Sequence, residues 1–328
     1  MYNMAFAGFR HSHINSLYAQ VKNCAEINIA GAFEENGEAR EAAKKNPGAD
    51  FIYKTYEDLL SDGSVDIVAI GDYFGIRGER AIKALKAGKN VFIDKPVCTS
   101  LRELDEIKEL SASSELKVGC MLDMRFSGFV PTVREIISGG GIGKIQTICF
   151  GGQHPLNYGS RPAWYYEDGK HGGVINDIAI HGIDLIYHIA GLEVKNVVGA
   201  REWNGFALNE PQFNDCAQFI AELSNGAGLI GDVSYSTPNS LGYNSPYYWR
   251  FLIYGTGGLI EFGTNLKDVR VCSGGSGTIE KIITPEKIGG DSLSEFIKEL
   301  KGEDCALNTE GVIRSTGNTL KIQDRVNK

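Results

Sequence analysis

Long apolar runs, paired cysteines and basic clusters are all missing from this 328-residue chain. No stretch approaches the roughly 18 apolar residues that a membrane-spanning helix needs. Met1–Arg10 has no basic start followed by an apolar run of about 7–15 residues, so no secretory leader is expected and the protein is expected to be cytoplasmic. The seven cysteines (Cys24, Cys98, Cys120, Cys149, Cys216, Cys272 and Cys305) form no C-x-x-C pair, which removes the usual zinc and dithiol motifs and suits a reducing compartment. Lys and Arg number 33 against 41 Asp and Glu, a net charge of −8 with no dense basic run, so neither nucleic acid nor a membrane is an expected partner. Internal repeats and low-complexity segments are absent as well.

What is present suits a globular protein. Apolar residues make up 42% and charged residues 23%, and at about 100–200 residues per domain the length allows two domains. The 41 glycines, about 12% of the chain against a usual 7% or so, imply many tight turns or close backbone approaches.

Residues 1–122 alternate short β-rich runs with amphipathic segments: strands at 2–7, 27–33, 66–70, 90–93 and 116–121, helices at 12–22, 37–45, 78–87 and 101–111. Ser100, with Glu103 three residues later, signals the start of the last helix. Such alternation predicts an α/β, doubly wound parallel sheet of the Rossmann type. Residues 123–328 change pattern, with two helices (130–138 and 173–190) and eight strand-like runs joined by short turns. Two helices near 292–301 and 310–326 close the chain. This pattern predicts an α+β domain with a mostly antiparallel, open-faced sheet.

The first strand runs into Gly8-Phe9-Arg10-His11-Ser12-His13, where a dinucleotide-binding turn would read G-x-G-x-x-G. Only the first glycine is present, with Arg10 and His13 in the places of the second and third. Glu34, 26 residues after Gly8 at the end of the second strand, stands where a carboxylate accepts the ribose hydroxyls of NAD and repels the extra phosphate of NADP. A solvated loop carboxylate is its other reading. Asp94-Lys95-Pro96 follows the fourth strand at the sheet edge where ligands bind, although a lone loop lysine is also an ordinary surface residue.

The densest constellation is Gly172-Gly173 followed by Asp177-x-x-x-His181-x-x-Asp184-x-x-x-His188. At about 100° per residue these four ionisable groups fall within a stripe about 60° wide on a helix otherwise apolar all round. Three readings compete: a buried polar network, a metal site using part of the stripe, and proton transfer in a cleft. His188 is roughly 16 Å along the helix from Asp177, so all four cannot share one ion, and no metal ligand set is assigned.

Taken together, Val65–Ile70, Ala84–Val91, Asp94-Lys95-Pro96, Gly172-Gly173 and Asp177-x-x-x-His181-x-x-Asp184 resemble the glucose-fructose oxidoreductase / inositol dehydrogenase / MocA (Gfo/Idh/MocA) family. The resemblance implies an NAD(P)-dependent oxidoreductase of sugars or cyclic polyols, with Lys95, Asp177 and His181 as the catalytic set. It implies cofactor contacts from Gly8, Phe9, Arg10, His11, His13, Glu34, Gly71, Asp72, Asp94 and Lys95. NAD is favoured, and Arg10 leaves NADP open. Two departures stand out: the reduced glycine motif, and Gly71-Asp72-Tyr73-Phe74-Gly75 in place of the family's Thr-Pro-Asn.

The segment 153–166, rich in aromatics and polar donors, supplies the substrate candidates His154, Tyr158, Arg161 and Trp164, joined by Arg125, Asp177 and His181. Ordinary packing or an oligomer contact is the competing reading of those aromatics. By resemblance a homo-oligomer, dimer or tetramer, is expected. Two other functions stay open: NAD-dependent glycoside cleavage, and a non-catalytic ligand-binding or regulatory protein on the same scaffold.

Overall fold

The computed structural model describes residues 1–326; Asn327 and Lys328, the last two of the expected 123–328 domain, lie outside the described residues. The chain divides into two compact units. Unit 1 takes Met1–Met121, Gly169–Gly172 and Asp291–Thr316; unit 2 takes Leu122–Asp168, Gly173–Gly290 and the chain from Gly317 onward.

Unit 1 is built on a parallel sheet. Its strands β1 (Tyr2–Ala7), β2 (Ile27–Phe33), β3 (Ile67–Ile70), β4 (Asn90–Ile93) and β5 (Val118–Cys120) lie in the order β2-β1-β3-β4-β5. Because β1 pairs with β2 on one side and β3 on the other, strand order reverses between β1 and β3. The carboxyl ends at such a reversal are where doubly wound sheets take ligands. Met4–Ala7 and all of β3 are buried, as expected of strands covered on both faces.

The crossovers hold α1 (His13–Lys22), α2 (Gly37–Lys45), α3 (Tyr56–Ser61), α4 (Phe74–Lys86) and α5 (Leu101–Ser114). The Ser100 side chain caps α5 by accepting from the Glu103 N–H at 3.2 Å. Helix α3 is absent from the sequence reading. It is started by a reciprocal cap, with Thr55 Oγ1 accepting from Asp58 N and Asp58 Oδ2 accepting from Thr55 N, both at 3.0 Å. Helix α4 begins at Phe74 rather than Gly78. Asp72 Oδ1 takes the Tyr73 N–H at 2.7 Å just ahead of it, and Gly75 lets the Gly169 carbonyl come so close that a Cβ would lie 2.1 Å away.

The two units differ from a single division after residue 122 in their C-terminal part. Helix α8 (Ser292–Leu300) belongs to unit 1, where Phe296 packs on Phe92 of β4 with ring centroids 5.2 Å apart. Burying that aromatic pair outweighs proximity in sequence.

Unit 2 carries α6 (Val130–Ser138), a π-helical turn (Ile175–Ala179), α7 (Ile180–Ala190) and an eight-stranded sheet. The strands are β6 (Ile145–Pro155), β7 (Val194–Trp203), β8 (Cys216–Leu223), β9 (Gly228–Thr237), β10 (Trp249–Gly255), β11 (Gly258–Gly263), β12 (Asp268–Ser273) and β13 (Glu280–Ile283). Their order is β13-β12-β11-β10-β6-β9-β8-β7, antiparallel throughout except that β6 and β9 run parallel. Strand β6 extends past the expected residue 150, so Gln153 and His154 stand on a strand rather than in a loop. On the covered face, Gly182 of α7 meets Phe150, whose ring a Cβ there would approach to 2.5 Å. Ile220 and Ile230, paired across β8 and β9, stay 52% and 46% exposed. The last helix, α9 (Thr309–Gln323), closes the described chain, and no described helix is long and apolar enough to cross a membrane.

Candidate functional site

In unit 1 the candidates gather at the carboxyl ends of β1, β2, β3 and β4. Gly8 has φ +83°, a left-handed conformation, and a Cβ there would come within 2.7 Å of Asp72. Its backbone can turn sharply only because both conditions are met by glycine. The next N–H, on Phe9, donates to Glu34 Oε2 at 2.6 Å, and Asn36 N donates to Oε1 at 2.7 Å. Glu34 is therefore the carboxylate that fixes the turn, not a solvated loop residue, and Arg10 Nη1 lies 3.8 Å from it. Burial pushes the Glu34 carboxyl above its ordinary range, partly offset by the Phe9 bond. His11 N closes the turn onto the Gly71 carbonyl at 3.1 Å, and the Ser12 side chain makes no capping bond to α1. Burial also raises the carboxyl of Asp72, which pairs with Arg80 at 2.8 Å.

Asp94 is the hub of this edge. Its fully buried carboxylate accepts from Arg77 Nη2 at 2.9 Å and meets Nδ1 of His11 at 2.5 Å and of His13 at 3.0 Å. Burial alone would raise the Asp94 carboxyl, but the surrounding His11, Arg77 and His13 hold it well below the usual carboxylate range. Burial holds the His11 imidazole down at about 3, against the pull of Asp94, so the neutral ring donates to the carboxylate. Arg77 also donates to the carbonyls of Asp72, Asp94 and Lys95, tying the ends of β3 and β4 together. Lys95 is buried, its Nζ 5.6 Å from the centre of the Phe74 ring, and the Lys95–Pro96 bond is cis.

In unit 2 Asp177 sits in the π-helical turn, just ahead of the regular helix α7 that carries His181, Asp184 and His188. The Asp177 carboxylate, buried, accepts the hydroxyl of Tyr235 on β9. Burial, and then the Asp177 charge, keep that phenol far above its ordinary range, so it remains a donor. His181 follows on α7, half-buried, its ring 6.0 Å from that of Trp249. Arg125 clasps Asp184 with Nε and Nη2 at 2.7 and 2.6 Å. His188 lies between Arg125 and Arg134, 3.4 Å from each. Asp177 thus has Tyr235 as a partner, and Asp184 has Arg125.

The substrate candidates have differing surroundings. Arg125, 3% exposed, is built as a brace between the turn at Asp123–Phe126 and α7. The Arg161 guanidinium donates to the carbonyls of Leu156 and Pro155 and is flanked by the rings of Tyr165 and Tyr235, 4.7 and 4.6 Å away. Trp164 is buried against Tyr165. Tyr158 is exposed and donates to Glu210 at 3.1 Å. His154 stands among Tyr235, Tyr243, Tyr248 and Trp249, its ring 4.8 Å from that of Tyr248. Arg77, Arg80 and Tyr235 escaped sequence reasoning, because a buried arginine and a strand tyrosine carry no local signal of their partners.

Residues 3–121 match the oxidoreductase family with the NAD-binding Rossmann fold, and residues 130–261 match the GFO/IDH/MocA C-terminal domain. The chain belongs to the Gfo/Idh/MocA family. Among its relatives, the scyllo-inositol 2-dehydrogenase (NAD(+)) of Bacillus subtilis (strain 168) is 30% identical over 63% of this chain and 58% of that enzyme. The myo-inositol 2-dehydrogenase of Thermotoga maritima is 26% identical over 81% of this chain and 79% of its own length. The first of these matches thus spans less than two thirds of the relative. A crystal structure from Erwinia carotovora atroseptica SCRI1043 superposes with a TM-score of 0.84 at 25% identity, covering 100% of this chain and 99% of that one.

Unit 1 of this Gfo/Idh/MocA protein is accordingly an NAD-binding Rossmann domain, and its turn fits that cofactor. Gly8 holds the sharp turn against Asp72, the Ser12 side chain makes no capping bond at the start of α1, and Glu34 stands at the end of β2. The reduced glycine motif therefore keeps the one glycine whose backbone conformation requires it.

Proposed function

We propose that the protein is an NAD-dependent dehydrogenase or reductase acting on a secondary hydroxyl or ketone of a sugar-like substrate, with a cyclic polyol of the inositol kind as first choice. The observation that carries this reading is the Asp177 carboxylate, held by Tyr235 and followed by half-buried His181, in a chain with an NAD-binding oxidoreductase domain. The inositol dehydrogenases among the relatives support the substrate class.

In this reading His181 exchanges a proton with the substrate hydroxyl, Asp177 orients the imidazole, and Lys95 donates a hydrogen bond to the same oxygen. When bound, the nicotinamide supplies the hydride acceptor or donor. Gly8, Phe9, Arg10, His11, His13, Gly71, Asp72 and Asp94 form or support the pyrophosphate turn. Glu34 selects ribose hydroxyls over a 2′-phosphate, giving NAD preference over NADP. His154 contacts the polyol, while Tyr158, Arg161 and Trp164 shape the segment beside it. The exposed Ile220–Ile230 face of the sheet supports self-association as a dimer or tetramer.

The test is a screen of inositols, sugars and sugar acids with NAD⁺ and NADP⁺, following nicotinamide absorbance. The expected result is NADH formation with at least one neutral polyol. Cleavage of a nitrophenyl glycoside with no net NADH would replace this reading by NAD-assisted glycoside cleavage, and failure to bind either nucleotide would replace it by a non-catalytic role.

A further inference from the structure

The pyrophosphate turn carries a cluster that a dinucleotide does not require. His11, His13 and Asp94 each offer one ligand atom within 4.8 Å of the others. The arrangement is specific: His11 Nδ1 meets one oxygen of Asp94 at 2.5 Å and His13 Nδ1 meets the other at 3.0 Å. Two imidazoles thus straddle a single carboxylate. Arg77 Nη2 donates to the oxygen that His11 meets, Oδ2, at 2.9 Å. The Asp94 and His11 side chains are 0% and 8% exposed, whereas that of His13 is 46% exposed, so the cluster is closed on one side and open on the other.

We propose that His11, His13 and Asp94 form a binding site for an imidazole-preferring divalent cation such as zinc, with a phosphate oxygen of the dinucleotide as its fourth ligand. Two imidazole nitrogens and one carboxylate oxygen, with one position left to an outside ligand, make a donor set of the open zinc type. Each imidazole moves its proton from Nδ1 to Nε2 and turns the freed lone pair to the ion. Tetrahedral ligands about 2.0–2.1 Å from zinc stand roughly 3.4 Å apart, so loading opens the shortest contact by about 1 Å and draws the more distant ligand atoms together by at most about 1.4 Å. Arg77 supplies the outer hydrogen bond that orients the carboxylate.

Charge argues for the fourth ligand. A doubly charged ion beside one carboxylate and Arg77 leaves the loaded site cationic, which favours an anion at its open side. The position matters too: Arg10 takes the place of the second glycine, whose bare backbone lets the pyrophosphate come close, and His13 opens α1 three residues later, so the ion would supply by coordination a phosphate contact that the missing glycine no longer offers. This part rests on the reading of the turn as the NAD site.

The test uses the full chain stripped with EDTA and titrated calorimetrically with zinc, then with NADH in the presence and absence of zinc. One zinc per chain is expected, weakened at least 10-fold in both His13→Ala and His11→Gln, with thermal melts reporting that each variant is folded. NADH is expected to bind about 10-fold more tightly with zinc than without it in the native chain, and equally in both conditions in His13→Ala. Absence of stoichiometric zinc, or zinc binding unchanged by both substitutions, overturns the cation site. Zinc bound through these residues with NADH affinity unchanged or weakened overturns the phosphate as fourth ligand. NADH binding without any zinc site would leave the NAD reading standing while this inference fails; zinc binding with no nucleotide binding would leave the cation site standing while the NAD reading and the phosphate as fourth ligand fail.

Discussion

Tyr235, on β9, donates its hydroxyl to Asp177, 58 residues earlier in the π-helical turn. The bond joins the sheet of unit 2 to the turn that precedes α7, and both partners are buried. Replacing Tyr235 by Phe removes the donor and keeps the ring. The expected cost is about 1–3 kcal/mol in urea unfolding, because a buried carboxylate loses a partner. If Asp177 orients His181, kcat falls as well while NADH affinity holds; a loss of stability alone would make the bond purely structural.

His181→Ala and Lys95→Ala test the proton-transfer set. Each is expected to lower kcat/KM by roughly 10²–10⁴, the usual range for a positioned acid–base group. NADH affinity should survive in His181→Ala, as fluorescence titration would show. Near-native turnover in both would remove the catalytic assignment.

Arg125 gives the opposite expectation. Its paired bonds to Asp184 are buried, and breaking a buried ion pair by removing one partner costs about 3–5 kcal/mol. Arg125→Met should therefore unfold at much lower urea while its KM for the polyol changes little. A large rise in KM with native stability would restore Arg125 to the substrate site.

Glu34 predicts a pH dependence of known sign. Its carboxyl is raised in the folded state, so the native protein holds this proton more tightly than the unfolded chain does. Wild-type stability should fall, relative to Glu34→Gln, as pH rises from the ordinary carboxyl range through the raised folded value. The slope is at most about 1.4 kcal/mol per pH unit, and the difference levels off towards neutrality. Melting curves of both proteins between pH 4 and 7 would show it, and wild-type stability that rises relative to Glu34→Gln over that range would contradict it. Glu34→Ala should in addition narrow the preference for NADH over NADPH.

Much of this architecture was legible in the sequence. Alternating apolar runs and amphipathic segments announced the parallel sheet, and Glu34, Asp94 and Lys95 were placed at its carboxyl edge by strand order alone. The Thr55–Asp58 cap was a readable signal for α3, but the helix is only six residues long and offers little periodicity. The π turn was out of reach, because a fixed angular step cannot register an inserted residue. Within the stripe, Asp177 takes Tyr235 as a partner and Asp184 takes Arg125. Partners such as Arg77 and Tyr235 come from distant segments, so only tertiary packing reveals them. The same holds for α8, which joins unit 1 through Phe296.

The central claim is direct hydride exchange between a polyol carbon and the nicotinamide, with His181 taking the hydroxyl proton. Incubating the protein with NAD⁺ and an inositol deuterated at the oxidised carbon, then weighing the recovered NADH by mass spectrometry, tests it most directly. The expected result is NADH carrying the deuterium from the native protein and little or none from His181→Ala. NADH formed without the label, or labelled NADH formed equally well by His181→Ala, would contradict it.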